Sequence, residues 1–143
     1  QVTINVLASG DETGPSVLWV MPEDQETDVE FSESPILTIP EGDVYAPIIV
    51  AKLSERVKEE TIGSSSVSVK EIGGAAIPSI ATFDPATNLL TIQLLSPLAK
   101  MKSYSITLTT EILDLNGNPL NQNFSWQFFT VKGDGIYLPL IIR

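Results

Sequence analysis

Asp114, Asn116 and Asn118 place three oxygen-bearing side chains at alternate positions of the segment Asp114-Leu115-Asn116-Gly117-Asn118-Pro119-Leu120. Calcium loops begin this way, because a hard cation collects oxygens from every second residue. An EF-hand loop also needs glycine at its sixth position and glutamate at its twelfth. Here Gly117 is fourth, and Gln122 nearby lacks the charge. The same residues build a turn equally well: Asn and Gly tolerate left-handed backbone, and Asp accepts hydrogen bonds from the backbone just beyond it. The turn is the favoured reading, with calcium as its alternative.

Asp24, Glu26, Asp28, Glu30 and Glu33 form a second set of carboxylates. On one strand face they could share a cation, but such a run is more often a solvated edge that repels other strands. Exposed aromatics could stack on sugar, and Trp19, Trp126 and Phe129 are the candidates. Trp126 shares the inward parity of Phe124 and Phe128, which places it in a core, whereas Phe129 falls on the opposite face. Histidine and cysteine are both absent. That removes Ser-His-Asp and Cys-His catalysis, the usual zinc sites and any disulfide. A glycan-cleaving enzyme would need two converging carboxylates, and no pattern in the chain brings two together. No catalytic residue is expected.

The elements that position these residues are strands. Val17, Trp19 and Met21 alternate on one face of Ser16–Met21, and the acidic run comes after Pro22. A short strand over Ile36–Ile39 sits between Pro35 and Pro40, and Glu41-Gly42-Asp43 reads as a turn. Ile49, Ala51 and Leu53 face inward from the next strand. Ser54–Thr61 is the sole stretch of helical character, one turn bridging two strands. Val67 and Val69, Ala81 and Phe83, then Leu90, Ile92 and Leu94 supply further inward rows. Tyr104, Ile106, Leu108 and Ile112 make the cleanest one. Strands at intervals of about ten residues, with no crossover helices, specify an antiparallel sandwich or barrel.

The 143 residues amount to one domain, 43% of them hydrophobic, enough to bury a core without staples. A net charge of −10 argues against nucleic acid and anionic lipid, and no apolar run approaches the ~20 residues of a membrane span.

Five motifs in order give the chain from Pro15 to Val131 a family likeness. They are Thr27-Asp28-Val29; Leu53-Ser54-Glu55-Arg56-Val57; Phe83-Asp84-Pro85-Ala86-Thr87; Pro97-Leu98 with Tyr104 beyond it; and Asp114–Leu120 with Trp126-Gln127-Phe128 and Thr130 beyond it. Together they resemble the bacterial Ig-like domains of surface-layer proteins. Two departures stand out: Glu30–Pro47 looks like an insertion, and Arg56 replaces the family's proline. The resemblance implies an exported protein, a structural, spacer or adhesive role, and no shared catalytic residue.

The expectation is therefore an all-β, Ig-like antiparallel β-sandwich of about seven strands over residues 15–131. Residues 1–14 form a strand-like arm and linker, and residues 132–143 an apolar tail. The protein is expected outside the cell or at its surface, its signal peptide removed, acting as a non-catalytic module with no cofactor. A carbohydrate- or calcium-binding module is the alternative. In the tail, Tyr137, Leu138, Leu140, Ile141 and Ile142 are the candidate interaction residues. They dock on the module as a strand or pair with a partner protein or a second copy.

Overall fold

A computed structural model describes residues 13–131. The terminal arm, 1–12, and the tail, 132–143, lie outside the described residues. Nine strands are present among those described: β1 (Val17–Met21), β2 (Glu26–Val29), β3 (Leu37–Ile39), β4 (Gly42–Leu53), β5 (Val67–Glu71), β6 (Ser79–Asp84), β7 (Leu89–Leu94), β8 (Ser103–Leu108) and β9 (Phe124–Thr130). One sheet has the order β1-β4-β7-β6, with β3 also paired to β4; the other runs β2-β9-β8-β5. This is the strand order of an immunoglobulin-type sandwich. β1 and β2 share the role of its first strand: β1 pairs with β4 in one sheet, and β2 pairs with β9 in the other.

Alternation builds the core. β7 and β8 each keep a strict in-out pattern, and Leu90, Ile92, Leu94, Tyr104, Ile106 and Leu108 are all buried. Side chains of strands point alternately to opposite faces, so these two central strands put one apolar row each between the sheets. β9 adds Trp126 and Phe128, while Phe124 packs at the edge of the cluster. Tyr104 and Phe128 stack obliquely, their ring centroids 5.9 Å apart. Each such side chain contributes about 1.5–3 kcal/mol by leaving water.

Four expectations need correction. Val17, Trp19 and Met21 do not share a face. The ladder with β4 shifts between Val17 and Trp19, so Leu18 is an extra residue. A bulge of this kind reverses the parity of every residue beyond it in the strand. Val20 is therefore buried, while Trp19 and Met21 are exposed. Second, the sandwich is not wholly antiparallel, because β2 runs parallel to β9. Third, the turn within Glu30–Pro47 is not Glu41-Gly42-Asp43: β3 folds onto the first half of β4 as a hairpin. Its turn is Pro40-Glu41, and Gly42 (φ +143°) is already the first strand residue. Fourth, the helical character of Ser54–Thr61 reduces to a short 3₁₀ turn, Glu59–Thr61, while Val57 is buried in a bridge to Asp114.

Polar contacts pin the chain where strands change sheet or direction. The buried indole N–H of Trp126 donates to the Pro22 carbonyl at 3.0 Å, at the joint between β1 and β2. Gly14 lies so close to Pro119 that a Cβ there would sit 1.6 Å from the Pro119 carbonyl oxygen. Near the start of β8 the Ala99 N–H donates to the Tyr104 hydroxyl at 2.8 Å. The buried Thr130 hydroxyl donates to the Ala99 carbonyl at 2.7 Å and accepts from the Lys102 N–H at 2.9 Å. This is the tyrosine corner of such sandwiches: a phenol holding the loop just upstream of its own strand.

Tyr104→Phe leaves the Ala99 N–H without its partner, and its expected cost is about 1–3 kcal/mol in urea unfolding. Burial pushes the Tyr104 hydroxyl above its ordinary value of 10.0, and the Glu71 charge adds to that against the Ala99 hydrogen bond. Below that ordinary value the phenol is neutral in folded and unfolded chains alike, so its contribution is intact. As pH rises from there toward the higher folded value, the unfolded chain ionises first and stability falls. The alkaline limb of a pH–stability curve should therefore be shallower in Tyr104→Phe than in the parent.

Candidate functional site

The loop after β8 is a small closed unit. Leu113 and Pro119 form an isolated bridge, the Leu120 N–H donates to the Ile112 carbonyl at 2.8 Å, and Asp114 bridges Val57 across the domain. Inside it Asp114 is 0% exposed. One carboxylate oxygen accepts from the backbone N–H groups of Asn116 and Asn118, both at 2.8 Å. The other accepts from the Asn118 side-chain amide at 3.1 Å. The Asp114 carbonyl accepts from the Gly117 N–H at 3.0 Å, and Gly117 has φ +88°.

The three predicted candidates are thus brought together, as an Asx turn. Each of the three contacts to the carboxylate points a hydrogen at it, the electrostatic opposite of what a cation's oxygen cage presents. Asn116 is exposed, and Asn118 is half-buried with its amide turned to Asp114. The buried carboxylate therefore serves as the turn's organising acceptor.

The second carboxylate set does not converge. Asp24, Glu26, Asp28, Glu30 and Glu33 are exposed along β2 and its flanks, and no group of three potential metal-ligating side chains occurs among the described residues. Their local bonds are again structural. Asp24 accepts from the Gln127 N–H at 3.1 Å, which fastens the turn before β2 to β9, and Glu26 accepts from the Glu23 N–H at 2.7 Å within that turn. Of the aromatics, Trp126 is 2% exposed and Trp19 is 47% exposed on the outer face, beside Lys52. Phe129 is half-buried. Tyr137, Leu138, Leu140, Ile141 and Ile142 lie outside the described residues.

One concave feature has no counterpart among the sequence expectations. Between β5, the edge of one sheet, and β6, the edge of the other, runs a groove of about 470 Å³. Val67, Val69, Ile77 and Ala81 give it an apolar lining, with Ser64 and Ser79 contributing hydroxyls, and no charged residue lines it. Its signal in the sequence is faint: two uncharged runs of small residues, Ile62–Val69 and Gly73–Ala81. Val67 and Val69 in the first and Ala81 in the second read as inward residues of two separate strands, and nothing in either stretch shows that the fold lays them side by side.

The geometry defines a class of protein: an immunoglobulin-type sandwich whose conspicuous polar residues hold turns and strand edges. The family model described as bacterial Ig-like domain matches residues 11–130. The chain belongs to that family. No curated protein matches it by sequence. Similar solved structures include CopC from Methylosinus trichosporium OB3b (TM-score 0.61, 13% identity, 86% of this chain and 99% of that one). A methionine-rich copper resistance protein, PcoC from Escherichia coli, aligns at TM-score 0.57 and 12% identity over 81% of this chain and 97% of that one. The N-terminal part of the bacterial S-layer protein SbsC aligns at TM-score 0.54 and 14% identity, over 82% of this chain. The alignment spans 24% of that SbsC chain. At these identities the likeness is one of fold.

Replacing Asp114 by Ala removes one acceptor from three donors inside a closed loop. The expected loss is about 2–4 kcal/mol, above an ordinary hydrogen bond because the acceptor is charged and its donors are left unpaired. Thermal unfolding of Asp114→Ala beside Leu115→Ala checks this. Leu115 lies in the same loop with its side chain 53% exposed, so its substitution should change stability far less.

Proposed function

We infer that this chain works as a non-catalytic structural or adhesive module of a bacterial protein exported from the cell or displayed at its surface. One observation carries the reading: the side chains that could have done chemistry are the ones that build the fold. Asp114 closes a turn, Asp24 and Glu26 secure a strand, and the Tyr104 hydroxyl holds a corner. Membership of the bacterial Ig-like family supports the structural role, and likeness to an S-layer protein supports a surface location. No helix among the described residues is long and apolar enough to cross a membrane.

The copper-resistance neighbour lends little to this chain, which has two methionines, Met21 and Met101, and no histidine or cysteine. Exposed Trp19 is the observation that favours a second reading, a carbohydrate-binding module, since a solvent-facing indole can stack on a sugar ring. Within the structural reading, Tyr137, Leu138, Leu140, Ile141 and Ile142 are assigned to contact with a partner protein or a second copy.

Protease treatment of intact source cells is the direct test. The module should be cleaved or released while cytoplasmic markers survive, and retention in the cytoplasm would sink the proposal. Alongside it, melting in millimolar calcium and in chelator should coincide. A rise of several degrees with calcium would transfer the loop at Asp114 to the metal-binding reading.

A further inference from the structure

The groove between β5 and β6 is bounded by two sheet edges in unequal states. In an antiparallel ladder, alternate residues direct both backbone groups to the same neighbour. On β5 the groove-side groups are taken by the chain's own hairpin. The Val69 carbonyl accepts from the Ile77 N–H, and the Glu71 N–H donates to the Ala75 carbonyl. β6 is different. The Leu95 N–H donates to the Pro78 carbonyl, which sets residues 78, 80 and 82 toward β7. The N–H and C=O groups of Ser79, Ala81 and Phe83 therefore point along the other edge, with which no strand pairs among the described residues. An open edge beside an apolar cleft is a template for one more strand.

β6 itself fits that template. A two-fold axis through Ala81, perpendicular to the sheet, lays β6 of a second copy antiparallel along the first, as an isologous contact. Ala81 then exchanges both backbone bonds with Ala81 of the second copy, and Ser79 does the same with Phe83. Nothing is diverted from the monomer's own ladder, since the backbone groups of Ile80 and Thr82 stay with β7. The side chains agree as well. On the inner face small Ser79 lies opposite large Phe83, and Ala81 opposite Ala81. On the outer face Ile80 lies opposite Thr82, a β-branched pair of the kind that supports a sheet.

Charge selects the same strand. Two molecules of net charge −10 repel, so an edge they share must keep their carboxylates apart. β6 carries a single one, Asp84, at its last position. About an axis at Ala81 the two copies of Asp84 stand about 20 Å from each other. That is beyond the ~8 Å over which exposed charges act in physiological salt. The groove behind the edge is neutral too, with Val67, Val69, Ile77 and Ala81 in its lining. β2 does not meet the requirement, because Glu26 and Asp28 share a strand of four residues. Two-fold pairing there would bring them within about 10 Å of their copies. β1 is bulged at Leu18, and β5 is already covered.

We propose that β6 is a dimerisation edge: a second copy of this chain pairs antiparallel with it about Ala81. The two sheets become one continuous sheet, and each copy's neutral groove is set against the other's. So short a pairing belongs among the weak, concentration-dependent contacts.

Sedimentation velocity on the full chain, from about 10 μM to about 1 mM, tests it. The parent should pass from monomer to dimer over that range, and a chain still monomeric at the upper end overturns the proposal. Ala81→Pro removes an N–H that only an added strand uses, at an edge position that tolerates proline. It should weaken the dimer at least about tenfold. Should Ala81→Pro fail to fold, exposed Thr82 decides. Its two copies lie diagonally across the axis, about 7–8 Å apart. Thr82→Lys and Thr82→Glu should each dimerise at least about tenfold more weakly than the parent, and an equal mixture of the two should recover the dimer. Unchanged dimerisation in these variants, or a mixture no stronger than either alone, would place the contact on another surface and overturn the assignment to β6.

Discussion

The contact on which the two sheets most depend is the hydrogen bond from the Trp126 indole to the Pro22 carbonyl. A buried indole N–H must find an acceptor, and this one finds it at the point where the first strand leaves one sheet for the other. Before Pro22 the chain is β1, laddered to β4; after it the chain is β2, laddered to β9. The same indole lies against Phe124 with ring centroids 5.7 Å apart. It therefore fixes the strand switch from within the core. The ladder of β2, the Gln25 N–H donation to Gln127 and the Asp24 contact all depend on where that switch is held.

Polar side chains elsewhere repeat the same use. Asp84 accepts from the Ala86 N–H at 2.9 Å and starts the turn into β7, which Asn88 completes with φ +61°. Ser66, fully buried, accepts from the Gly63 N–H at 3.0 Å and donates to the Thr61 carbonyl at 2.6 Å. Asp114 does the same work for the loop before β9. Each residue has a type that catalysis and metal binding also employ. What separates the uses is whether its lone pairs face backbone donors or open space, and that cannot be seen in a string of letters.

The inward rows of the second half of β4 and of β7 to β9 were legible because each holds to a period of two: Ile49, Ala51 and Leu53, or Tyr104, Ile106 and Leu108, are buried as their spacing predicts. The likeness at Asp84–Thr87 and Asp114–Leu120 was legible because turn chemistry is local. What failed has non-local causes. One extra residue, Leu18, reversed the parity of β1 and put Trp19 in water. The parallel pairing of β2 depends on the switch at Pro22, and a strand's own letters do not say which direction its neighbour runs. Leu37 is exposed although it begins a strand, as is Ile36 just before it, since β3 pairs along only one side of a projecting hairpin. The groove is invisible in the sequence because its two walls lie on separate strands and join only through the crossover at Pro78.

Four outer strands, β1, β2, β5 and β6, differ in how charge and shape guard their edges. β2 carries Glu26 and Asp28 on its exposed positions, and an added strand would have to desolvate them. β5 is covered by its own hairpin through Ile77 and Ala75. β1 has no charge, but it is five residues long and bulged at Leu18, which offers little regular edge to pair with. β6 is regular, nearly uncharged and flanked by an apolar cleft. Carboxylates there would repel unwanted strands, yet they would also border a groove whose lining is otherwise wholly neutral.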